Sequence, residues 1–426
     1  MTTAELLERR FRVLGRGSPL FYDQPLHIVR GEGVWLYDAD GRRYLDAYNN
    51  VPHVGHCHPH VVEAIARQAS VLNTHTRYLH EGIVLYAERL TSWFDRELSM
   101  AFLACTGSEA NEIALRMATV CTGHRGILCT KFAYHGNTTA VAQISTVFPP
   151  PEGLGPHIRA ITAPDSYRGA RAANGVLSPV AWLAEIEAAC ASLKESGQGV
   201  AAILIDTILS SEGLPAIPAE FVARAVAIVR AAGGVYIADE VQPGFGRTGT
   251  HKWGYQRHGV VPDIVTLGKP MANGHPVSGV VARAELATEF AAKVMYFNTF
   301  GGNPVSCAAA NAVLDVLERE RLQENARVVG EHALAGLERL MQKHELIGDV
   351  RGHGLFFGAE LVTDRRSKTP ATAETRRVVN AMRERGVLIS RIGVHDNILK
   401  IRPPMPFSKE NADLLLATLD DVLRAL

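Results

Sequence analysis

Short apolar runs alternate with helical segments between about residues 60 and 310. The runs are MAFLACTG, GILCTKF, VAAILID, GVYIADEV, DIVTLG and SGVVARAE. Parallel strands need crossover connections, which are usually helices, so strands that alternate with helices are typical of βαβ units. The pattern therefore predicts an α/β fold with a mostly parallel sheet.

The pattern changes on both sides of this region. Near the N-terminus, GVWLYDADGRRYLDAY alternates apolar and polar residues around Asp40 and Gly41, which predicts a hairpin with a type I′ turn. After residue 311 the pattern becomes helix, strand, helix. There Ser408 is a candidate N-cap for a C-terminal helix with an apolar stripe at Leu415, Leu419, Val422 and Leu426.

The chain has 426 residues, more than the roughly 250 to 300 at which a single core stops growing. We therefore predict two packed units. Residues 61–310 form the large α/β domain, residues 311–426 form a smaller α+β domain, and residues 1–60 join the smaller one. Within the large domain, residues 147–179 are rich in Pro, Gly and Ala, which predicts a long surface excursion near a site.

Charge and composition narrow the function classes. Basic and acidic side chains balance at 44 each, which gives no electrostatic footprint for a nucleic acid. The first twenty residues lack the apolar core of a signal peptide, and no later stretch approaches the roughly 20 apolar residues of a membrane span. The six cysteines are scattered without Cys-x-x-Cys spacing. These features predict a cytoplasmic protein without membrane or nucleic-acid partners.

Candidate chemistry lies where predicted strands end. The small residues Gly107 and Ser108 open a helix after one strand, where free N–H groups can hold a phosphate. Asp239 ends a second strand, and Lys269 ends a third between Gly268 and Pro270. Taken singly, these residues are also explained as a helix cap, a turn residue and a surface lysine. Together they match pyridoxal phosphate, which needs partners for its phosphate, ring nitrogen and aldehyde.

Three other motifs have alternative explanations. GFGRTG, from Gly244 to Gly249, fits the dinucleotide-loop pattern, but no apolar helical stripe follows it and no acid closes a second strand. GHCHPH, from Gly55 to His60, suggests a metal, but no second ligand cluster accompanies it, so we predict no metal site. Tyr134 in AYHGNT could stack on a flat cofactor or pack in the core.

The chain also contains the stretches YLDAYNNVPHVGHCHPHVVEAI, TGSEANEIALRMA, YHG, ADEVQPGFGRTG, DIVTLGKP and TFGGNPVSCAAANAVL. With these, nearly the whole chain resembles the class III aminotransferases, which are fold type I pyridoxal-phosphate enzymes. The resemblance implies a large cofactor-binding domain with a mostly parallel seven-stranded sheet and a smaller α+β domain. It also implies a homodimer with active sites shared across the interface, or a tetramer built from two such dimers.

The resemblance also implies individual roles. Lys269 attaches the cofactor aldehyde, Asp239 pairs with the ring nitrogen, and both are catalytic. Tyr134 and Val241 sandwich the ring, Gln242 approaches its 3-hydroxyl, and Thr299 reaches the cofactor phosphate of the neighbouring subunit. The cofactor-binding set expected from the resemblance is Gly107, Ser108, Tyr134, His135, Asp239, Val241, Gln242, Lys269 and Thr299.

Two departures from the family pattern concern the substrate. Many class III transaminases grip a substrate carboxylate with an arginine three residues before Pro-Pro, where ILKIRPPMP has Lys400. A glutamate that pairs with that arginine in several of them falls at Ser211 in DTILSSEG, with Glu212 one place away. A lysine without a carboxylate partner is suited to a phosphate.

Within the class, NNVPHVGHCHP, KPMANGHPV, YFNTFGGNPVSC, KTPATAET and LKIRPPMPF are most similar to ethanolamine-phosphate phospho-lyases and their phosphohydroxylysine relatives. The resemblance implies that phosphate is eliminated from O-phosphoethanolamine, giving acetaldehyde and ammonia. The alternative is an omega-aminotransferase that moves an amino group from an amine to a keto acid. Predicted ligands of the substrate phosphate are Lys400, Arg77, Arg402, Asn50 and His53.

Overall fold

The computed structural model describes residues 2–165, 167–169, 179–218 and 220–426. In this part of the chain the strands, in order, are β1 (Ile28–Glu32), β2 (Trp35–Asp38), β3 (Arg43–Asp46), β4 (Leu98–Ala104), β5 (Gly126–Thr130), β6 (Ile158–Ile161), β7 (Val200–Asp206), β8 (Val235–Asp239), β9 (Ile264–Leu267), β10 (Ser278–Arg283), β11 (Ile347–His353), β12 (Phe356–Asp364), β13 (Thr369–Pro370), β14 (Val387–Leu388), β15 (Ser390–Ile392) and β16 (Ile398–Ile401).

The helices of the same residues are α1 (Thr3–Leu14), α2 (Pro59–Ala69), α3 (Glu81–Thr91), α4 (Gly107–Thr122), α5 (Thr139–Ala142), α6 (Val180–Glu195), α7 (Phe221–Ala231), α8 (Ala284–Lys293), α9 (Pro304–Arg319), α10 (Leu322–Lys343), α11 (Thr372–Glu384) and α12 (Lys409–Arg424). A 3₁₀ turn spans Gly254–His258. Among the described residues, no helix combines the length and apolar character needed to cross a membrane.

The central sheet has seven strands in the order β4-β10-β9-β8-β7-β5-β6. Strands β5 to β9 run parallel to one another in this sheet, whereas β10 is antiparallel to both β4 and β9. Every residue of β7 and β9 is buried, as expected for strands covered on both faces. The predicted mostly parallel α/β sheet is therefore confirmed, and all six predicted apolar runs contain a strand.

The predicted surface excursion at 147–179 is wrong in part. Residues Ile158–Ile161 form the edge strand β6, which pairs in parallel with β5, and Ile158 and Ile161 are buried. The Pro and Gly residues on either side of this short run mask it, because strand signals depend on length and periodicity. Residues 166 and 170–178 lie outside the described residues.

The N-terminal strands pair with the C-terminal part of the chain. Strands β1, β2 and β3 form an antiparallel meander, and β14 adds in parallel to β3 with Val387 opposite Leu45. A second small sheet has the order β11-β12-β16-β15, with β13 paired to β12. The β3–β14 pairing supports our proposal that residues 1–60 join 311–426, while helix α9 spans the proposed boundary at residue 310.

Two local predictions need correction. The β2–β3 turn is not type I′, because only Gly41 in it has a positive φ, and type I′ requires this at both central residues. The Gly41 N–H instead donates to the Asp38 carbonyl, as in a three-residue hairpin loop with a glycine bulge. In α12, Ser408 is the N-cap and Leu415, Leu419 and Val422 are buried, but Leu426 lies beyond the helix and is exposed.

Candidate active site

Three strand ends meet at one small cavity of about 110 Å³. β8 and β9 are neighbours in the sheet, so Asp239 and Lys269 emerge side by side, and α4 begins next to them after β4. Eight of the nine predicted cofactor-binding residues line this cavity: Gly107, Ser108, Tyr134, His135, Asp239, Val241, Gln242 and Lys269. The convergence expected at the carboxyl ends of parallel strands is present.

One end of the cavity offers backbone donors. Thr106 caps α4, where its hydroxyl accepts the Glu109 N–H at 3.2 Å. The N–H groups of Gly107 and Ser108, which precede Glu109, are among those that a helix leaves without internal partners. Gly136 has φ 144°, and a Cβ there would overlap Ser108 Oγ. The cap and the phosphate cradle are therefore compatible, and glycine keeps the cradle open.

The opposite wall holds a buried carboxylate. Asp239 Oδ2 accepts hydrogen bonds from His135 Nδ1 at 2.7 Å and from Asn111 Nδ2 at 3.1 Å, while Oδ1 accepts from the Val241 N–H. Burial lowers the pKa of His135, but the hydrogen bond and charge of Asp239 outweigh it and raise the pKa overall. Asp239 is thus held in a fixed orientation where a protonated ring nitrogen can pair with it.

Lys269 lies between these two ends and is partly exposed at the cavity. Burial, followed by the charge of Arg402, lowers the pKa of Lys269 to about 8, against the opposing effect of Asp239 and Asp206. A lysine with a lowered pKa has more of the neutral amine that attacks a carbonyl. Backbone donors, a carboxylate and this amine match the phosphate, ring nitrogen and aldehyde of pyridoxal phosphate, so the residues present fit that group.

A larger cavity of about 970 Å³ adjoins the first. The two share Tyr134, Gly136, Gln242 and Lys269 as lining residues. Lys400 and Arg402 line the larger one, as expected for ligands of a substrate. Burial, then the charges of Arg402 and Lys269, lower the pKa of Lys400 well below its usual value. Three basic side chains, those of Lys269, Lys400 and Arg402, therefore converge beside the cofactor cavity.

The structure distinguishes Ser211 from Glu212 at the position where the family resemblance leads us to expect a glutamate. Ser211 lines the larger cavity. Glu212 turns away, where its Oε1 accepts a hydrogen bond from the Thr130 hydroxyl and its buried Oε2 has no partner in the described structure. Burial and the charge of Asp206 raise the pKa of Glu212 to about 7. The cavity wall thus carries the hydroxyl of Ser211, while the carboxylate of Glu212 points elsewhere.

Four predicted site residues do not line either cavity of this chain. His53 is fully buried, with Nε2 near the Phe245 carbonyl at 2.9 Å and Nδ1 near Arg247 Nη2 at 3.0 Å. Asn50 is also fully buried. Both side chains are enclosed by protein in this chain, so neither reaches the larger cavity directly. Arg77 lies on the surface with its guanidinium 4.1 Å from the Phe297 ring, and Thr299 is exposed.

The remaining motifs have structural partners. In GFGRTG, the buried Arg247 donates to the carbonyls of Leu355 and Pro403. In GHCHPH, His56, His58 and His60 each contact a different carboxylate, those of Asp46, Glu320 and Asp315. Among the described residues, no group of three His, Cys, Asp or Glu side chains could hold a metal.

Two site residues were not predicted from the sequence. Asp206 ends the buried strand β7 and lines the small cavity, and Asn111 holds Asp239 from α4. The signal for Asp206 was the same as for Asp239, a carboxylate at the end of an apolar parallel strand. Asn111 follows Gly107 by four residues, so one helix face carries both the cradle and this amide.

Known proteins match over nearly the whole chain. The family model described as aminotransferase class-III covers residues 21–423. A Drosophila melanogaster protein named alanine--glyoxylate aminotransferase 2-like is 43% identical, over 100% of this chain and 88% of its own length. Ethanolamine-phosphate phospho-lyase homolog 1 of Caenorhabditis elegans is 37% identical, over 98% and 93%.

A solved structure is closely similar as well. It is a phospholyase from Arthrobacter in complex with phosphoethanolamine, with a TM-score of 0.96 and 50% sequence identity. The match covers 99% of this chain and 100% of that one. Together with the family model and the cavity described above, this shows that the chain belongs to the class III aminotransferase family and that its cofactor is pyridoxal phosphate.

Proposed function

We propose that the protein is a phospho-lyase that converts O-phosphoethanolamine and water to acetaldehyde, ammonia and phosphate. The observation that carries this proposal is Lys400, a buried basic side chain in the substrate cavity beside Lys269. The nearby acids Asp206 and Glu212 act on Lys400 through space and not through a hydrogen bond. Because a buried charge without a close counter-ion is costly, an anionic substrate group is its natural partner.

The surroundings of Lys400 favour phosphate over carboxylate. Arg402 lies in the same cavity, so two cations are available to an anion with more than one negative charge. Ser211 offers a hydroxyl in place of a competing carboxylate, and Glu212 is held against Thr130. Lysine is a compact point charge that suits a phosphate, whereas planar arginine suits a bidentate carboxylate.

The chain's own groups can divide the reaction between them. Bound pyridoxal phosphate supplies an electron sink for the carbon that bears the substrate nitrogen. Lys269 Nζ is the base for the proton on that carbon, and its lowered pKa of about 8 suits this task near neutral pH. Lys400 and Arg402 then stabilise the negative charge of the departing phosphate as its C–O bond breaks.

The relatives support two different chemistries. The Arthrobacter phospholyase, 50% identical, is in complex with phosphoethanolamine, and the C. elegans relative is named as a phospho-lyase homolog. The Drosophila relative is instead named after an aminotransferase. The alternative function is therefore an omega-aminotransferase that moves an amino group from an amine to a keto acid.

Omitting the keto acid separates the two functions. The enzyme is incubated with phosphoethanolamine alone, and inorganic phosphate, acetaldehyde and ammonia are measured over many turnovers. Equal amounts of all three are expected from the lyase. No phosphate release, with steady amino transfer after pyruvate or 2-oxoglutarate is added, would establish the aminotransferase instead.

We also propose a homodimer in the cytoplasm, with shared active sites. Five large apolar side chains are exposed in two segments that meet where Arg77 lies over the Phe297 ring, here called the apolar face: Tyr78, Leu79, Met295, Phe297 and Phe300. Arg77 and Thr299 lie within the same two segments. Contiguous exposed apolar surface is typical of protein interfaces. If a second subunit packs on this face, Thr299 and Arg77 of the first subunit would reach the cofactor and substrate cavities of the second.

A further inference from the structure

Four buried side chains connect the substrate cavity to the end of strand β7. Arg402 Nη1 donates to Gln242 Oε1, Gln242 Nε2 donates to Ser210 Oγ, and Ser210 Oγ donates to Asp206 Oδ2. Ser210 is fully buried, and Asp206, Gln242 and Arg402 are at most 6% exposed. Arg402 lines the larger cavity, Asp206 lines the smaller one, and Gln242 lines both.

The chemistry of Arg402 and Asp206, the two ends, fixes which groups donate and which accept in this series of hydrogen bonds. A guanidinium can only donate, so the amide oxygen of Gln242 must face Arg402. An ionised carboxylate can only accept, so the Ser210 hydroxyl donates to Asp206 and is left to accept from Gln242 Nε2. The amide of Gln242 is therefore locked in one orientation. Its second N–H is left to donate into the small cavity, which Gln242 also lines.

The same series of hydrogen bonds also links the buried charge of Arg402 to a carboxylate. Arg402 is buried beside two like charges, since it lowers the pKa of both Lys400 and Lys269. Its Nε has no hydrogen-bond partner in the described structure. A carboxylate bound directly to Arg402 would offset its charge but would also compete with an anionic substrate. Asp206 offsets the charge through two neutral groups, at a distance, and leaves the cavity positive.

We propose that Ser210 and Asp206 are positioning residues, which hold Gln242 and Arg402 so that one donates to the cofactor and the other binds the anionic group of the substrate. The part concerning the substrate anion rests on the proposed function, whereas the part concerning Gln242 does not. Ser210 was not predicted as a site residue from the sequence or from the family resemblance. It lines neither cavity and acts only through Asp206 and Gln242.

Ser210→Ala removes one hydroxyl from the middle of the chain and leaves both cavity walls intact. In the holoenzyme we expect a shifted visible absorption band, because the amide of Gln242 is free to turn. The dissociation constant for inorganic phosphate and the KM for phosphoethanolamine should rise about 10-fold, with kcat changed less than about 3-fold. The matched control is Ser278→Ala, a buried serine whose hydroxyl has no partner in the described structure.

A double-mutant cycle with Arg402→Lys tests whether the residues act as one chain. If they do, Ser210→Ala should add little to the phosphate-affinity loss of Arg402→Lys. Additive losses, or a Ser210→Ala protein that matches Ser278→Ala in spectrum and phosphate affinity, would overturn the proposal. A wild type that releases no phosphate from phosphoethanolamine, combined with a shifted band in Ser210→Ala, would reject the lyase function and keep the positioning role.

Discussion

Lys269 and Lys400 are two lysines beside one site, and burial lowers the pKa of both. Lys269 sits at the end of β9 next to Asp239, where a neutral amine is useful as a nucleophile and base. Lys400 lies in β16 near Arg402, where a protonated form is useful for holding an anion. Burial thus favours the neutral form that Lys269 needs. It disfavours the protonated form that Lys400 needs, unless an anion is bound.

We expect Lys269 to be the point of covalent attachment. Reduction of the holoenzyme with borohydride, followed by peptide mapping, should place the pyridoxyl group on the peptide that contains Lys269. Lys269→Ala should fold and remain unlabelled, because Lys400 does not line the cofactor cavity. A label on another lysine of the wild type would contradict this assignment.

Lys400 should make phosphate binding depend on pH. Its pKa is lowered well below the usual value in the free enzyme, chiefly by burial. Bound phosphate favours the protonated ammonium, so affinity is fully present below that pKa and falls as pH rises through it, by up to about 10-fold per pH unit. The dissociation constant of inorganic phosphate, measured between about pH 6 and 10, tests this expectation.

Lys400→Arg is the matched control, because arginine stays charged across this range. The ratio of variant to wild-type phosphate affinity should therefore increase with pH. Phosphate's own ionisation cancels in that ratio. A ratio that stays constant would show that Lys400 does not titrate in the binding step. Lys400→Ala should lose about 2 to 4 kcal/mol of transition-state stabilisation at a pH where Lys400 is charged.

At the scale of single residues, the sequence identified those whose role is set by where a strand ends. Asp239 and Lys269 follow from this reasoning, and Asp206 could have been found in the same way. Glu212 and Ser211 could not be distinguished, since the loop after β7 is irregular and only its three-dimensional course decides which side chain faces the cavity. The burial of His53 against Phe245 and Arg247 could not be foreseen either, because these partners lie 192 and 194 residues away in the sequence.

At the scale of elements, the sheet of β11, β12, β16 and β15 contacts the loop after β7 that carries Ser211. Glu360 in β12 is nearly fully buried and accepts hydrogen bonds from Arg168 Nε at 2.9 Å and Arg351 Nη2 at 2.6 Å. Arg351 Nε in turn donates to the Gly213 carbonyl at 2.8 Å, two residues after Ser211. The position of Ser211 therefore depends on an ion-pair network of the smaller sheet.

Glu360→Gln should destabilise the fold by about 3 to 5 kcal/mol, because the buried Arg351 and the partly exposed Arg168 lose their shared counter-ion. Burial raises the pKa of Glu360, but Arg351 and Arg168 outweigh it and lower the pKa overall. A lowered pKa stabilises the protein above the unfolded value of about 4.3, and this contribution is lost as pH falls. Chemical denaturation at neutral and acidic pH should show a difference that shrinks in acid.

The control for this change is Glu324→Gln, which removes an exposed carboxylate paired with Arg327. Exposed pairs contribute little, so its denaturation midpoint should match that of the wild type at both pH values. Equal effects of the two substitutions would mean that the Glu360 network does not hold the sheet. The strand β12 can be predicted from the sequence because it is an apolar run. Its ion pair cannot, because Glu360 in β12 and its partner Arg168 lie 192 residues apart.

The missed strand and turn show the same limit at the level of elements. β6 is only four residues long and lies among prolines and glycines, so its pairing with β5 decides its conformation. The Asp40-Gly41 turn adopts a bulged loop in which Asp38 Oδ1 accepts the Asp40 and Arg42 N–H groups. Sequence patterns gave the existence of the hairpin, while side-chain hydrogen bonds selected its turn.

At the scale of the whole molecule, every predicted cofactor-binding residue lines the small cavity except Thr299, which lies outside the cavity of its own chain. The sequence could not place it, because its target belongs to a second subunit in the proposed dimer. The apolar face that surrounds it includes Leu79, which is fully exposed, and Phe300, which is 70% exposed. Exposed side chains of this size are costly in water, and the proposed second subunit would cover them.

Leu79→Asp should therefore convert the dimer to a monomer, because a carboxylate buried at an interface without a partner is unfavourable. The monomer should also release its cofactor, since Thr299 of a neighbour is no longer present at the phosphate cradle. Sedimentation equilibrium measures the first effect, and the visible absorbance retained after gel filtration measures the second. Leu426→Asp, at an exposed apolar position near the C-terminus, is the control and should remain a dimer with cofactor bound. A Leu79→Asp dimer would mean that the interface lies elsewhere, and a cofactor-loaded monomer would mean that Thr299 does not hold the neighbour's phosphate.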